Sequence, residues 1–274
     1  VRGEGYLLAA CAIWGLTFPL MKIALQYVDP YLFLFYRFGV ATAALLPFAV
    51  QRVRRDMVMP GVITGIFLFL GYFFQIVGLR YTLSTNSGLI TSLYVVFGPL
   101  FSYVLFREKV RGAEYVALGV AFTGVALLSL PGGDVRVGDL ITLLCAVSYG
   151  VQVALIYRYS RNIDPVGLAF LQIAVVFAFT LAAPFVSSPP LPSTPLITAI
   201  LYTSLCGTAF ALVLQVKGQR ALSTPGASTV FTSEAFFAML FSYAVLGETL
   251  SPIGYAGAAL ILISIVTASA FGRS

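Results

Sequence analysis

One carboxylic acid sits where this chain is least able to tolerate a charge. Glu234 lies near the middle of the apolar stretch Ser223–Leu246, with Phe231, Phe236, Phe237 and Met239 around it. An ionisable group in such a segment costs at least about 2.5–3.5 kcal/mol, so it faces protein or water instead of lipid. A carboxyl held there can carry a proton, which makes Glu234 a proton-coupling candidate, or it can hold a cationic ligand. The structural alternative is one arm of a buried ion pair, for which Lys22 and Arg37 supply the cations. A guanidinium also suits a substrate carboxylate, which it grips through two parallel hydrogen bonds.

The other polar groups inside apolar stretches are mostly amides: Gln75, Asn86, Gln152, Gln172 and Gln215, accompanied by Ser92 and Ser233. Any one amide joins helices to each other as readily as it binds a ligand. Four glutamines on four different stretches exceed what packing requires and predict a wet or occupied central cavity. Aromatic residues would wall it, among them Tyr72 and Tyr94. Trp14 and Tyr149 stand at corresponding places in the chain, each followed by a glycine (Gly15 and Gly150). Glycine lets a neighbouring backbone approach, so this pair is expected on the cavity wall. Group-transfer chemistry finds little support. The chain has no histidine, no GxSxG, HExxH or P-loop pattern, and its three cysteines (Cys11, Cys145, Cys206) lie in apolar stretches without metal-ligand spacing. No metal and no cofactor are expected, and an intramembrane enzyme acting on lipids is a remote alternative.

The elements that must position these groups are read from composition and spacing. With 59% hydrophobic and 9% charged residues, the chain is no ordinary soluble domain, where about a quarter of residues are charged. A membrane span needs about 20 apolar residues. Ten such helices are predicted near 5–26, 31–50, 60–80, 85–105, 113–130, 138–158, 166–186, 195–216, 225–246 and 252–271. Five apolar stretches in the first part of the chain return in the second. Asp29-Pro30 returns as Asp164-Pro165, and Arg80 with Leu83-Ser84-Thr85 as Arg220 with Leu222-Ser223-Thr224. Phe101-Ser102-Tyr103 with Glu108 returns as Phe241-Ser242-Tyr243 with Glu248, at a constant offset of 140. An odd number of spans turns the second copy upside down, so the fold expected is all-α, ten transmembrane helices in a 5+5 inverted-topology repeat. Residues 1–130 form the first repeat, 131–137 a short external linker and 138–274 the second repeat. Repeats of this kind place a substrate site near the bilayer midplane.

Charge gives the orientation. Arg2, residues 52, 54 and 55, residues 107, 109 and 111, Arg158, Arg161, Lys217, Arg220 and Arg273 fall on one side, while Arg80 and Arg136 fall on the other. That split of 12 against 2 puts both termini in the cytoplasm of a multi-pass protein of the cytoplasmic membrane. The net charge of +6 is thus an orientation signal, and no nucleic-acid partner is expected. Asp29-Pro30, Asp164-Pro165 and Ser251-Pro252 are helix-start patterns. Glu108 and Glu248 precede the fifth and tenth helices and are read as caps on them. Pro19, Pro47, Pro99 and Pro184 are expected to bend their helices.

The chain resembles the drug/metabolite transporter superfamily in its EamA-type branch. The resemblance rests on Trp14-Gly15-Leu16-Thr17-Phe18 with Lys22, on Arg37 in Phe35-Tyr36-Arg37-Phe38, and on Tyr72, Gln75 and Gly78-Leu79-Arg80-Tyr81-Thr82. It continues through Leu93-Tyr94-Val95-Val96-Phe97-Gly98-Pro99-Leu100 and Arg107-Glu108, then Ser233-Glu234-Ala235-Phe236-Phe237-Ala238 and Leu246-Gly247-Glu248. Ala235 stands where the family commonly has proline. The resemblance implies a carrier exporting or exchanging small metabolites, amino acids including aromatic ones among them, by alternating access through a central cavity. It selects Trp14, Tyr72, Gln75, Asn86, Tyr94, Tyr149, Gln152, Gln215 and Glu234 as cavity residues. Arg37 and Gln172 become structural or gating candidates, together with Lys22, Glu108 and Glu248. Efflux of hydrophobic cations, with Glu234 as counter-charge, is the alternative.

Overall fold

The computed structural model describes residues 2–107, 112–129, 136–222, 227 and 230–271. Glu108 and residues 109–111 lie outside the described residues, as do 130–135 of the linker region and 223–226 with Ser223 and Thr224. The described chain is helical throughout: α1 (Arg2–Ala24), α2 (Pro30–Ala49), α3 (Arg55–Arg80), α4 (Ser84–Thr91), α5 (Tyr94–Phe106), α6 (Gly112–Ser129), α7 (Val137–Tyr159) and α8 (Pro165–Thr180). Then come α9 (Ala183–Val186), α10 (Thr194–Leu201), a π-helical turn over Tyr202–Phe210, α11 (Ala211–Ala221), α12 (Ser233–Leu246) and α13 (Pro252–Phe271).

Seven helical segments, two of them crossing the short breaks after Thr91 and Thr180, are long and apolar enough to cross a bilayer, and three shorter apolar helices accompany them over Gly119–Leu128, Ser233–Leu246 and Pro252–Ser264. Large apolar side chains stand on the outer surface, among them Phe48, Val104, Phe185 and Ile263. A monomer in water rarely exposes so much contiguous apolar surface, and hydrocarbon is the solvent that suits it. This is a multi-pass membrane protein.

The helix starts follow their sequence signals. Asp29 accepts a bond from Tyr31 N–H, Asp164 from Val166 and Gly167 N–H, and Ser251 Oγ from Gly254 N–H. Prolines behave less simply. Helical structure runs through Pro19, Pro47 and Pro99, while Pro184 sits in the first turn of α9, after the helix has already stopped at Thr180. The glycines Gly61 and Gly65 serve a contact within the chain: a Cβ at either would lie 2.5 Å from Leu171 Cβ or 2.7 Å from Val175 Cβ on α8.

Packing divides into two principal apolar clusters. One gathers side chains of α1, α2, α3 and α8 around Phe18, Phe33, Phe38 and Ile173. The second gathers α4, α5, α7, α12 and α13 around Leu89, Val96, Phe231 and Ile261. Trp14 and Tyr149 pack against both, so the seam between the clusters runs past these two rings.

Candidate functional site

A cavity with about 420 Å³ of empty volume opens at that seam. Helix α1 contributes Trp14, Thr17 and Phe18 to its wall, and α3 contributes Leu68, Tyr72 and Gln75. Tyr94 comes from α5, Tyr149, Gln152 and Val153 from α7, Leu212 and Gln215 from α11, and Glu234 from α12. The mixture of aromatic wall and few polar groups is that of small-molecule sites generally.

The wall is fixed by its neighbours. Trp14 Nε1 donates to Gly207 O at 3.0 Å, and its ring stacks on Phe231 with centroids 6.4 Å apart. Tyr149 meets Tyr72 and Tyr94 edge-on at 5.5 and 6.4 Å. Gly15 and Gly150 explain how α1 and α7 come so near the helices facing them. A Cβ on Gly15 would lie 2.5 Å from Phe237 Cβ, and one on Gly150 would lie 2.6 Å from Phe97 Cβ. Phe97 and Phe237 are themselves 140 residues apart, so one contact occurs twice.

Glu234 is 3% exposed and accepts a hydrogen bond from Tyr94 Oη at 2.7 Å through Oε2. Tyr94 and Glu234 are also separated by the offset of 140 and meet each other in the cavity. Each follows an interruption of helix. Between α4 and α5 the break falls at Ser92–Leu93, where Ser92 Oγ bonds back to Gly88 O at 2.9 Å. Before α12 it falls at Thr232, which leaves Glu234 in that helix's first turn. Free amides and the positive end of the helix dipole favour a carboxylate there.

Three glutamines are joined in series. Gln172 Nε2 donates to the backbone carbonyl of Leu168 at 3.3 Å, Gln152 Nε2 to Gln172 Oε1 at 2.9 Å, and Gln215 Nε2 to Gln152 Oε1 at 3.3 Å. Gln152 and Gln215 line the cavity, whereas Gln172, fully buried on α8, stands behind them.

Asn86 is elsewhere. Expected on the cavity wall, it instead donates through Nδ2 to Asp139, its oxygens 3.3–3.4 Å away. It lies near the start of α4, well along the helix from Tyr94, and so meets the first turn of α7 instead of the cavity. Thr82 Oγ1 also donates to Asp139. Asp139 is fully buried, and sequence reading passed over it because an acid in a helix's first turn is an ordinary capping feature.

Lys22 does not reach Glu234. Its Nζ donates to the carbonyls of Leu79 at 2.7 Å and Thr82 at 2.5 Å, closing the C-terminus of α3. Arg37 lies behind Tyr72, outside the cavity wall. It donates to Thr208 Oγ1 at 2.8 Å, Tyr72 Oη at 3.2 Å and Gly207 O at 3.4 Å, and its guanidinium stands 4.4 Å from the Tyr72 ring centroid. Gly207 and Thr208 belong to the π-helical turn, which had no sequence signal beyond a run of small residues. Glu248 corrects one expectation: it caps α4 and not the helix that follows it. Its carboxylate accepts from Ser84 N–H at 2.9 Å and Thr85 N–H at 2.8 Å.

With this geometry in view, comparisons with known proteins agree on one family. The model of the EamA-like transporter family matches the chain twice, over residues 1–130 and 136–270. An uncharacterized transporter of Archaeoglobus fulgidus is 38% identical over 260 residues, covering 94% of this chain and 82% of its own. The uncharacterized transporter YyaM of Bacillus subtilis is 24% identical over 275 residues, covering 93% of this chain and 89% of its own. A WAT1-related chloroplastic protein of Arabidopsis thaliana is 26% identical over 285 residues, covering 92% of this chain and 66% of its own. A crystal structure shares the fold over 100% of this chain and 98% of that one, with a TM-score of 0.73 at 20% identity.

Proposed function

The chain belongs to the EamA-like transporter family, a family of transporters and not of enzymes, and from that premise we propose that it exports small amphipathic metabolites, amino acids foremost, by alternating access. The observation that carries the reading is the buried carboxyl of Glu234, held by Tyr94 in an aromatic cavity at the seam of two packed clusters. An apolar side chain would rest against Trp14, Tyr72 and Tyr149, and an amine would replace the Tyr94 hydroxyl as partner of Glu234. In this reading the architecture is ten spans in two inverted repeats of five, 1–130 and 138–274. The broken fourth helix (α4 and α5), the shorter apolar helices and the double match of the family model support it. Both termini are assigned to the cytoplasm of the plasma membrane, on the strength of the basic residues gathered on one side.

A second reading, efflux of hydrophobic cations, draws on one further observation. Among the described residues the cavity wall includes no basic side chain that would neutralise a carboxylate. Aromatic faces and a single acid suit an organic cation.

The test is uptake of labelled amino acids into proteoliposomes, with and without an imposed pH gradient. Saturable uptake is expected, together with at least about a tenfold loss in Glu234→Gln, the scale of a lost hydrogen bond to a charge. Equal transport by wild type and Glu234→Gln at every gradient would remove Glu234 from the mechanism. Uptake blocked by lipophilic cations and indifferent to amino acids would favour the second reading.

A further inference from the structure

We infer that Gln172, which does not touch the cavity, fixes the cavity's hydrogen-bonding polarity and thereby selects ligands that present a protonated amine. The inference rests on the carrier reading above for the identity of the site and goes beyond it in naming what sets its selectivity.

An amide offers an acceptor at one end and a donor at the other, and only its partners decide which way it points. Here a backbone atom decides. Leu168 O can only accept, so the group of Gln172 that bonds to it is Nε2, and Gln172 Oε1 is turned toward Gln152. Gln152 must then present Nε2 to Gln172, which leaves its Oε1 for Gln215. Gln215 in turn must spend Nε2 on Gln152. The series ends with Gln215 Oε1, a buried acceptor on the cavity wall without a hydrogen-bond partner.

An unpartnered buried acceptor is costly, commonly about 1–3 kcal/mol, and a ligand donor recovers that cost. Gln215 Oε1 shares the cavity with the Glu234 carboxyl, itself an acceptor when ionised, and with Tyr149 Oη, likewise buried and without a partner. Two acceptors and one hydroxyl form a set suited to an ammonium group, which carries three donors and no acceptor. An alcohol would satisfy one of them, and a carboxylate would face two like-polarity oxygens. The selectivity is therefore relayed from the α8 backbone through Gln172 and Gln152, and breaking the relay at its buried end frees Gln215 to turn its Nε2 toward the ligand.

Trp14 supplies the readout, being the single tryptophan of the chain and part of the cavity wall. Its fluorescence in purified, detergent-solubilised protein at pH 7 can be titrated with 2-phenylethylamine, phenylalanine, 2-phenylethanol and 3-phenylpropanoate, which share one ring and differ in the polar group. The two amines are expected to bind about tenfold or more tighter than the alcohol and the acid. In Gln172→Met that ratio should fall about tenfold. In Gln172→Glu it should persist, because an acid group in its protonated form donates to Leu168 O and still accepts from Gln152. A structural defect alone would weaken all four ligands together and would not be rescued selectively by Glu, and thermal unfolding of each variant reports folding separately. A wild-type ratio near one, a Gln172→Met ratio like wild type in a folded sample, or no response of Trp14 to any of the four would overturn the inference. The carrier reading fails independently: ordered binding without uptake in proteoliposomes would remove the carrier and leave the relay, whereas uptake without the binding order would remove the relay and leave the carrier.

Discussion

A guanidinium keeps its charge at any pH a cell meets, so a fully buried one must be held by everything around it. Arg37 is 0% exposed, and the groups holding it are neutral: Thr208 Oγ1, Tyr72 Oη, Gly207 O, Met21 Sδ and the face of Tyr72. The planar fork reaches several of these at once, and an ammonium on a flexible stem cannot. Arg37→Lys is therefore expected to lower stability by about 2 kcal/mol. Thermal unfolding in detergent measures it, and an unchanged midpoint would show that the fork contributes nothing. Because Tyr72 lines the cavity, ligand affinity should weaken as well. A charge in an apolar run is conspicuous in sequence, which is why Arg37 and Glu234 were readable as interior groups. Their partners were not. Nothing local pairs Arg37 with a turn 170 residues away, and Asn86 and Asp139 meet only because α4 and α7 pack at their ends.

Helices can approach closely only where a side chain is missing, and the approaches at Gly15 and Gly150 beside the cavity are unequal. A Cβ at position 15 would meet the backbone of α12 at 2.8 Å (Phe237 C) and 2.9 Å (Ala238 N), and one at position 150 would meet the backbone of α5 at 3.2 Å (Phe97 C) and 3.3 Å (Gly98 N). Both pairs must shift, since each added Cβ also meets a phenylalanine Cβ at 2.5 or 2.6 Å, but only the first meets backbone at under 3 Å. Gly15→Ala is thus predicted to destabilise by about 1–3 kcal/mol, as overpacking commonly does, and Gly150→Ala by less. Unfolding midpoints of the two variants decide, and the reverse order would mean that the helices are not held at these separations. The glycine after each aromatic was readable at the outset, as were most spans, since both are marked by composition over many residues. Interruptions within spans were not. Prolines stand at 19, 47 and 99, and the helix is interrupted where none stands, breaking at Ser92–Leu93 and widening into a π turn at Tyr202–Phe210. In the first case a serine hydroxyl takes a backbone carbonyl, and in the second Trp14 and Arg37 bond the Gly207 carbonyl. The second depends on neighbours that only the folded chain supplies, and the first on a local serine bond that unbroken helices also carry, so neither needed a proline.

A carrier that alternates must part its halves at one end while closing them at the other, and ties across the halves mark the end that is shut. At the end bearing Lys22, Arg80 and Arg136 these ties are numerous and buried. Glu248, just beyond α12, caps α4, Asp139 accepts from Thr82 and Asn86, and Ser84 Oγ meets Ser242 Oγ at 2.8 Å. At the arginine-rich end the polar tie is a partly exposed Arg52–Asp164 ion pair of 3.7 Å, a kind of contact worth at most about 1 kcal/mol, beside apolar packing of Met57 on Ile163 and Leu168. Ser84 and Ser242 offer a way to test whether the buried ties must break. Both are fully buried, and their hydroxyls stand close enough that cysteines replacing them would approach disulfide distance with little backbone movement. The double variant Ser84→Cys with Ser242→Cys, made with Cys206→Ser to remove the half-buried native thiol, should transport when reduced and stop when oxidised. Oxidation fixes α4 to α12 while leaving the cavity residues untouched, so ligand quenching of Trp14 should survive in the oxidised form if the cavity remains open at the arginine-rich end. Transport that continues with the disulfide formed would show that the halves do not separate there, and alternating access by parting them at this end would have to be abandoned as the way the site changes sides.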